Sequence, residues 1–130
     1  MIVDVTNEAY TTIKNTLTDV TVLQDYPITS PSFPCAIVSE SSNTEDLDTI
    51  DSSGAHYSSV ILEVNIFSNK ENKITQVKDI RNRIDNILSG TYRMTRTYSG
   101  TVPNYLDDTI YRYVLRYSFK VDSNRTIYRG

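Results

Sequence analysis

The side chains best equipped for chemistry in this sequence are one histidine, one cysteine and a run of carboxylates. His56 stands beside Gly54 among serines and aspartates, which suggests a serine–histidine–aspartate relay. A relay on a hydrolase-type turn needs a GxSxG stretch to present the serine, and the chain has none. His56 is therefore expected to be a solvated loop residue. Cys35 lies in the apolar, strand-like stretch Phe33-Pro34-Cys35-Ala36-Ile37-Val38, where a small buried hydrophobe is expected rather than a nucleophile. As the single cysteine it allows no intramolecular disulfide and no cysteine-based metal site. Asp46, Asp48 and Asp51 resemble the start of a calcium loop, but Asp51 occupies the place where the turn needs glycine, and no closing glutamate follows. The four glycines, at 54, 90, 100 and 130, never cluster into a phosphate cradle. The sequence thus predicts no catalytic residues, no cofactor, no metal and no small-molecule substrate.

Charge points to surfaces rather than pockets. The net charge is −3, yet the first 69 residues carry −9 and the remainder +6. Such asymmetry marks complementary surfaces or a polyanion contact, unless the fold interleaves the two halves. Ten tyrosines and no tryptophan suit half-buried strands and protein interfaces. Arg112, Arg116 and Lys120 alternate on one strand, and Arg93 and Arg96 lie on the strand before it. Cations beside tyrosines on a sheet would suit a small nucleic-acid-binding module. The glycine–aromatic signature of RNA-recognition sheets is missing, and the net negative charge opposes a dedicated binder.

The elements that carry these groups follow from periodicity. Residues 6–19 read as a helix with Thr6 as N-cap and Glu8 in the first turn. Ala9, Tyr10, Ile13, Leu17 and Val20 share one face. Residues 21–33 read as a connector, with a short strand possible over 20–23, and a strand follows at 34–40. Residues 41–56 read as a long acidic loop or hairpin tip. In the strand 57–67, Val60, Leu62, Val64 and Ile66 line one face, with Ile61, Glu63, Asn65 and Phe67 on the other. Ser68-Asn69-Lys70-Glu71 reads as a capping box opening a helix with Ile74, Val77, Ile80, Ile84, Ile87 and Leu88 inward, stopped by Ser89-Gly90.

A strand over 91–98 is expected to set Tyr92, Met94, Arg96 and Tyr98 against Arg93, Thr95 and Thr97. Residues 99–108 connect it to the longest strand, 109–121, with Tyr111, Tyr113, Leu115, Tyr117, Phe119 and Val121 on one face. The polar tail 122–130 is expected to order only against a neighbour. The prediction is a single α+β domain over 1–130 with its core in 6–121. Its order is α-β-β-α-β-β, with a mainly antiparallel sheet and both helices on one face. The N-terminus has no basic region followed by an apolar run, and no apolar segment is long enough to span a bilayer, so a soluble, cytoplasmically made protein with no membrane partner is expected.

This layout resembles a known family. It combines a capped N-terminal helix, Phe33-Pro34 leading into a strand, an acidic loop, the strand Tyr57–Ser68, and a helix ending Ile84-Asp85-Asn86-Ile87-Leu88-Ser89-Gly90. A Tyr-Arg strand and a long last strand close it. Over roughly residues 6–121 it is similar to the tail terminator and tail completion (minor capsid) proteins of tailed bacteriophages. The resemblance implies a non-enzymatic virion protein, usually a hexameric ring, at the head-proximal end of the tail. Its partners would be other copies of itself, the major tail tube protein and a head-completion or neck protein, with DNA only as cargo through the ring. A head-closure or neck adaptor protein is the alternative. In a head-to-tail ring, acidic Glu45, Asp46, Asp48 and Asp51 of one subunit are expected to complement Arg93, Arg96, Arg112 and Arg116 of the next.

Overall fold

The computed structural model describes residues 4–24, 32–46, 57–103, 109–122, 124 and 126–129. The chain runs α1 (Thr6–Thr16), β1 (Thr21–Leu23), β2 (Cys35–Asp46), β3 (Tyr57–Ser68), α2 (Lys73–Asp85), a π-helical segment (Asn86–Thr91), β4 (Thr95–Thr101), β5 (Tyr111–Asp122) and β6 (Ile127–Arg129). The sheet order is β1-β2-β3-β5-β4, with β6 also paired to β5. Every pairing is antiparallel except β1 with β2. This is the expected α+β domain, with one more strand in each half than the periodicity revealed.

The expected connector contains β1, held parallel to Cys35–Ile37. Residues 41–46 are strand, pairing with Tyr57–Ile61 as the outer part of a β2–β3 hairpin. The C-terminal tail supplies β6, which pairs with Phe119–Val121 within the same chain. These three short stretches have weak periodicity because each borrows its backbone partners from a longer strand. Local pattern cannot report such pairing.

Both helices pack on one face of the sheet. There Ala9 and Ile13 of α1, its C-cap Leu17, and Val77, Ile80 and Ile84 of α2 join one core with Val60, Leu62, Val64 and Ile66 of β3 and Leu115, Tyr117, Phe119 and Val121 of β5. Ile74, expected inward, is 51% exposed. It lies in the first turn of α2, because the helix begins at Lys73 rather than directly after Ser68.

The capping box does not form. Ser68 Oγ accepts from the Lys70 amide at 3.3 Å but donates to Gln76 Oε1 at 2.6 Å, which delays the helix by a turn. Thr6 is likewise inside α1 rather than its N-cap: Asp4 Oδ1 accepts from the Thr6 amide at 2.9 Å. Arg83 of α2 reaches the turn after α1, donating through Nη1 and Nη2 to Asp19 at 2.9 and 3.0 Å. That bidentate bond holds the Asp19 carboxyl below its ordinary range. Its contribution is therefore present above the usual carboxylate range and lost as pH falls below it.

The end of α2 departs most from expectation. Ser89-Gly90 does not stop the helix, which continues as a π-helical segment to Thr91. The left-handed residue that ends it is Arg93, with φ 61°. Around it the Tyr92 amide donates to Ile87 O at 3.0 Å and the Met94 amide to Leu88 O at 2.9 Å, while Met94 is buried. This is the wrapped C-terminus usually given to glycine. The strand therefore starts at Thr95, four residues later than expected.

Two stability predictions follow from that turn. Gly90 is helical with nothing near a would-be Cβ, so Gly90→Ala should stabilise by about 0.4–1 kcal/mol. Arg93→Gly should also stabilise, by about 0.5–1 kcal/mol, because it relieves a left-handed residue that carries a Cβ. Urea denaturation checks both, and a lowered midpoint for either would contradict the turn described.

Candidate assembly surface

Neither helix packs on the second face of the sheet, and the register determines which side chains share it. Along β3 these are Ile61, Glu63, Asn65 and Phe67; opposite them on β5 stand Ser118, Arg116, Val114 and Arg112. Tyr98 and Gly100 of β4 extend the face past Arg116 and Val114. The polar groups form one connected ladder. Arg112 donates to Asn65 Oδ1 through Nε at 3.0 Å and Nη2 at 2.8 Å. Asn65 Nδ2 donates to Glu63 Oε1 at 3.0 Å, and Glu63 Oε2 lies 3.5 Å from Arg116 Nε. Asn65 is only 1% exposed, so this amide would be costly without those partners.

Rings bracket the ladder. The Arg112 guanidinium lies 5.6 Å from the centroid of Phe67, and that of Arg116 lies 5.2 Å from Tyr98. The Tyr98 ring in turn lies over Gly100, where a Cβ would meet the phenol oxygen at 2.9 Å. Tyr98 is 41% and Ile61 38% exposed, so this face carries two large apolar groups in contact with solvent. Its arginines are occupied by an amide, a carboxylate and two rings. Such a surface suits a protein partner better than a polyanion, which needs cations free to displace counterions.

The sequence-predicted interface residues do not gather on this face. Arg112 and Arg116 are here, but Arg96 is on the helix-bearing face. The expected alternation of Arg96 with Tyr98 on one side fails at a β-bulge between them, which adds a residue and turns them to opposite faces. Arg96 Nη1 lies 3.0 Å from Asp85 Oδ2. Asp85 Oδ1 also accepts from the Tyr117 hydroxyl at 2.7 Å and Ser89 Oγ at 3.0 Å. Burial, then the hydrogen bond to Asp85, pushes the Tyr117 phenol far above its ordinary range. Arg93 is exposed in the turn before β4.

Glu45 and Asp46 end β2, opposite Ser58 and Tyr57. Asp48, Asp51 and His56 lie outside the described residues. Sequence reasoning missed Glu63, Asn65, Phe67 and Tyr98 as members of a site. Alternation placed the first three on one face, but nothing local announces which residue stands opposite on the next strand.

Cys35 is fully buried, and burial pushes its thiol up to about 11. Thiolate formation is therefore opposed in the fold, and any stability from the buried thiol is lost as pH rises past the ordinary thiol range toward that value. At pH 8 the folded chain should react with iodoacetamide far more slowly than the urea-unfolded chain. Equal rates would contradict this placement. Among the described residues no three metal-ligating side chains come together.

No family model and no curated protein matches this sequence. Among solved structures, it is similar to a chain from the virion of a native gene transfer agent particle. The TM-score is 0.61 at 12% identity, over 85% of this chain and 84% of that one. At such low identity the likeness is one of fold, and it spans nearly the whole of both chains.

Proposed function

We propose that this chain is a structural virion subunit of the tailed-phage type, a tail terminator or completion protein whose ring caps the tail tube and joins it to the head–neck complex. The observation that carries this reading is the fold shared along most of its length with a chain of a gene transfer agent virion. The non-helical sheet face fits the role, because its arginines are tied within the chain and its exposed large apolar groups are a tyrosine and an isoleucine. That composition also favours a protein-binding subunit over the nucleic-acid module. In this proposal the acidic segment with Glu45, Asp46, Asp48 and Asp51 meets a neighbouring subunit. Arg93 and Arg96 supply opposite charge on the next subunit, while Arg112 and Arg116 stay engaged within their own sheet face.

Position and copy number in purified particles test the reading. Antibody labelling should place the chain at the head-proximal end of the tail, at the copy number of one ring; a neck position above the terminator would favour a head-closure adaptor instead. Because residues 41–46 are paired strand, the informative deletion is shorter than the whole acidic stretch. Replacing residues 47–56 by a two-residue turn should leave a folded protein that fails to complete tails. Normal yields of infectious particles from that deletion would overturn the role given to the hairpin.

A further inference from the structure

Both lateral edges of the sheet are composite. On one side β1 hydrogen-bonds only Cys35–Ile37, so the outer edge of β2 from Ser39 to Asp46 carries no strand among the described residues. On the other side β4 and β6 lie end to end along β5. β4 stands opposite Tyr113–Ser118 and β6 opposite Phe119–Val121. No described strand pairs the outer side of either. Unpaired strand edges are ready templates for another chain.

The register carries rows across the sheet from one edge to the other. One row reads Glu40, Leu62, Tyr117, Arg96. Another reads Asn43, Val60, Phe119, Arg129. In the first row a carboxylate thus stands at one end and a guanidinium at the other, both on the helix-bearing face. β2 runs opposite to β4 and β6, since three antiparallel pairings separate them. A second copy placed beside the first at equal height would therefore meet it in antiparallel register.

Beside Glu40 the first edge is hollowed by an open cleft of about 270 Å³, lined by Asp4, Thr6, Gln24, Val38, Ser39 and Glu40. Thr6 Oγ1 in this lining is buried with no hydrogen-bond partner, although such a hydroxyl ordinarily has one. Its two carboxylates each accept within the chain, Asp4 Oδ1 from the Thr6 amide at 2.9 Å and Glu40 Oε1 from Asn43 Nδ2 at 2.8 Å, but an ionised carboxylate accepts at about four positions, so the cleft suits an incoming cation with several donors. Arg96 is half-exposed and reaches Asp85 through Nη1, while a guanidinium has five N–H donors.

We propose that copies of this chain join edge to edge. The Ser39–Asp46 edge of one copy receives β6 and the start of β4 of the next, and Arg96 of the second enters the Glu40 cleft of the first. The joint links two different surfaces of one subunit, so repetition closes a ring if the rotation allows. The proposal rests on the ring reading above and specifies its joint.

The test uses the full chain with Cys35→Ala and either Glu40→Cys or Arg96→Cys. Each variant is checked by circular dichroism, and the two are mixed under mild oxidation. The expected result is a disulfide-linked dimer on non-reducing gels in the mixture, well above that of either variant alone. A second arm uses Glu40→Arg, an exposed side chain outside the core, which should weaken self-association at least ten-fold by sedimentation. Native mass separates the two levels of the claim. Rings of the unmodified chain with no mixture-specific cross-link, or unchanged association of Glu40→Arg, overturn the joint and leave the ring. A monomer at every concentration overturns both.

Discussion

The pairing of β3 with β5 governs the rest of this structure. It runs without interruption from Tyr57 opposite Asp122 to Ser68 opposite Tyr111. Both strands alternate, so the ladder sends Val60, Leu62, Val64 and Ile66 to the same side as Leu115, Tyr117, Phe119 and Val121. A slip by one residue would turn one set to the other face and remove half the core. Burial of each such side chain is worth about 1.5–3 kcal/mol, so the register is specified many times over. The helices, the outer strands and the polar ladder all take their positions from it.

On the helix side the register brings the Tyr117 hydroxyl beneath Asp85, at the point where α2 gives way to its π-helical segment. The buried phenol needs an acceptor and the carboxylate has it. Asp85 then gathers Ser89 from its own helix and Arg96 from the next strand. One hydrogen-bonded centre thus joins the last turn of α2, the left-handed turn at Arg93 and the start of β4. The bulge between Arg96 and Tyr98 lets neighbouring residues serve opposite faces, Arg96 toward Asp85 and Tyr98 over Arg116.

On the other face the same register converts residues that look like a basic stripe into a satisfied network. Arg116 stands opposite the Glu63 carboxylate, and Arg112, opposite Phe67, reaches diagonally to the Asn65 amide. Exposed ion pairs of this kind add little stability, about 0–1 kcal/mol each. Their larger effect is on what the surface can bind. A face with its cations engaged and its rings exposed is more selective for shaped protein surfaces than for phosphate chains.

Long, strongly alternating elements were legible from sequence alone. The core faces of the 57–67 and 109–121 strands, the helical stripe from Val77 to Leu88 and the buried character of Cys35 all follow from periodicity and side-chain type. The α+β class followed from those. Tertiary structure alone decided β6 and the outer part of β2, and it settled as β1 the short strand that the sequence allowed over 20–23, because these pairings depend on backbone partners distant in the chain. It also decided that Arg93, not Gly90, takes the left-handed turn, because the helix is prolonged by packing of Ile87 and Leu88. Most consequentially, it decided the partners of the arginines. Where no bulge interrupts a strand, the sequence determines which residues share its face. Only the register between strands, set by the core on the opposite side, determines which charge stands across from which.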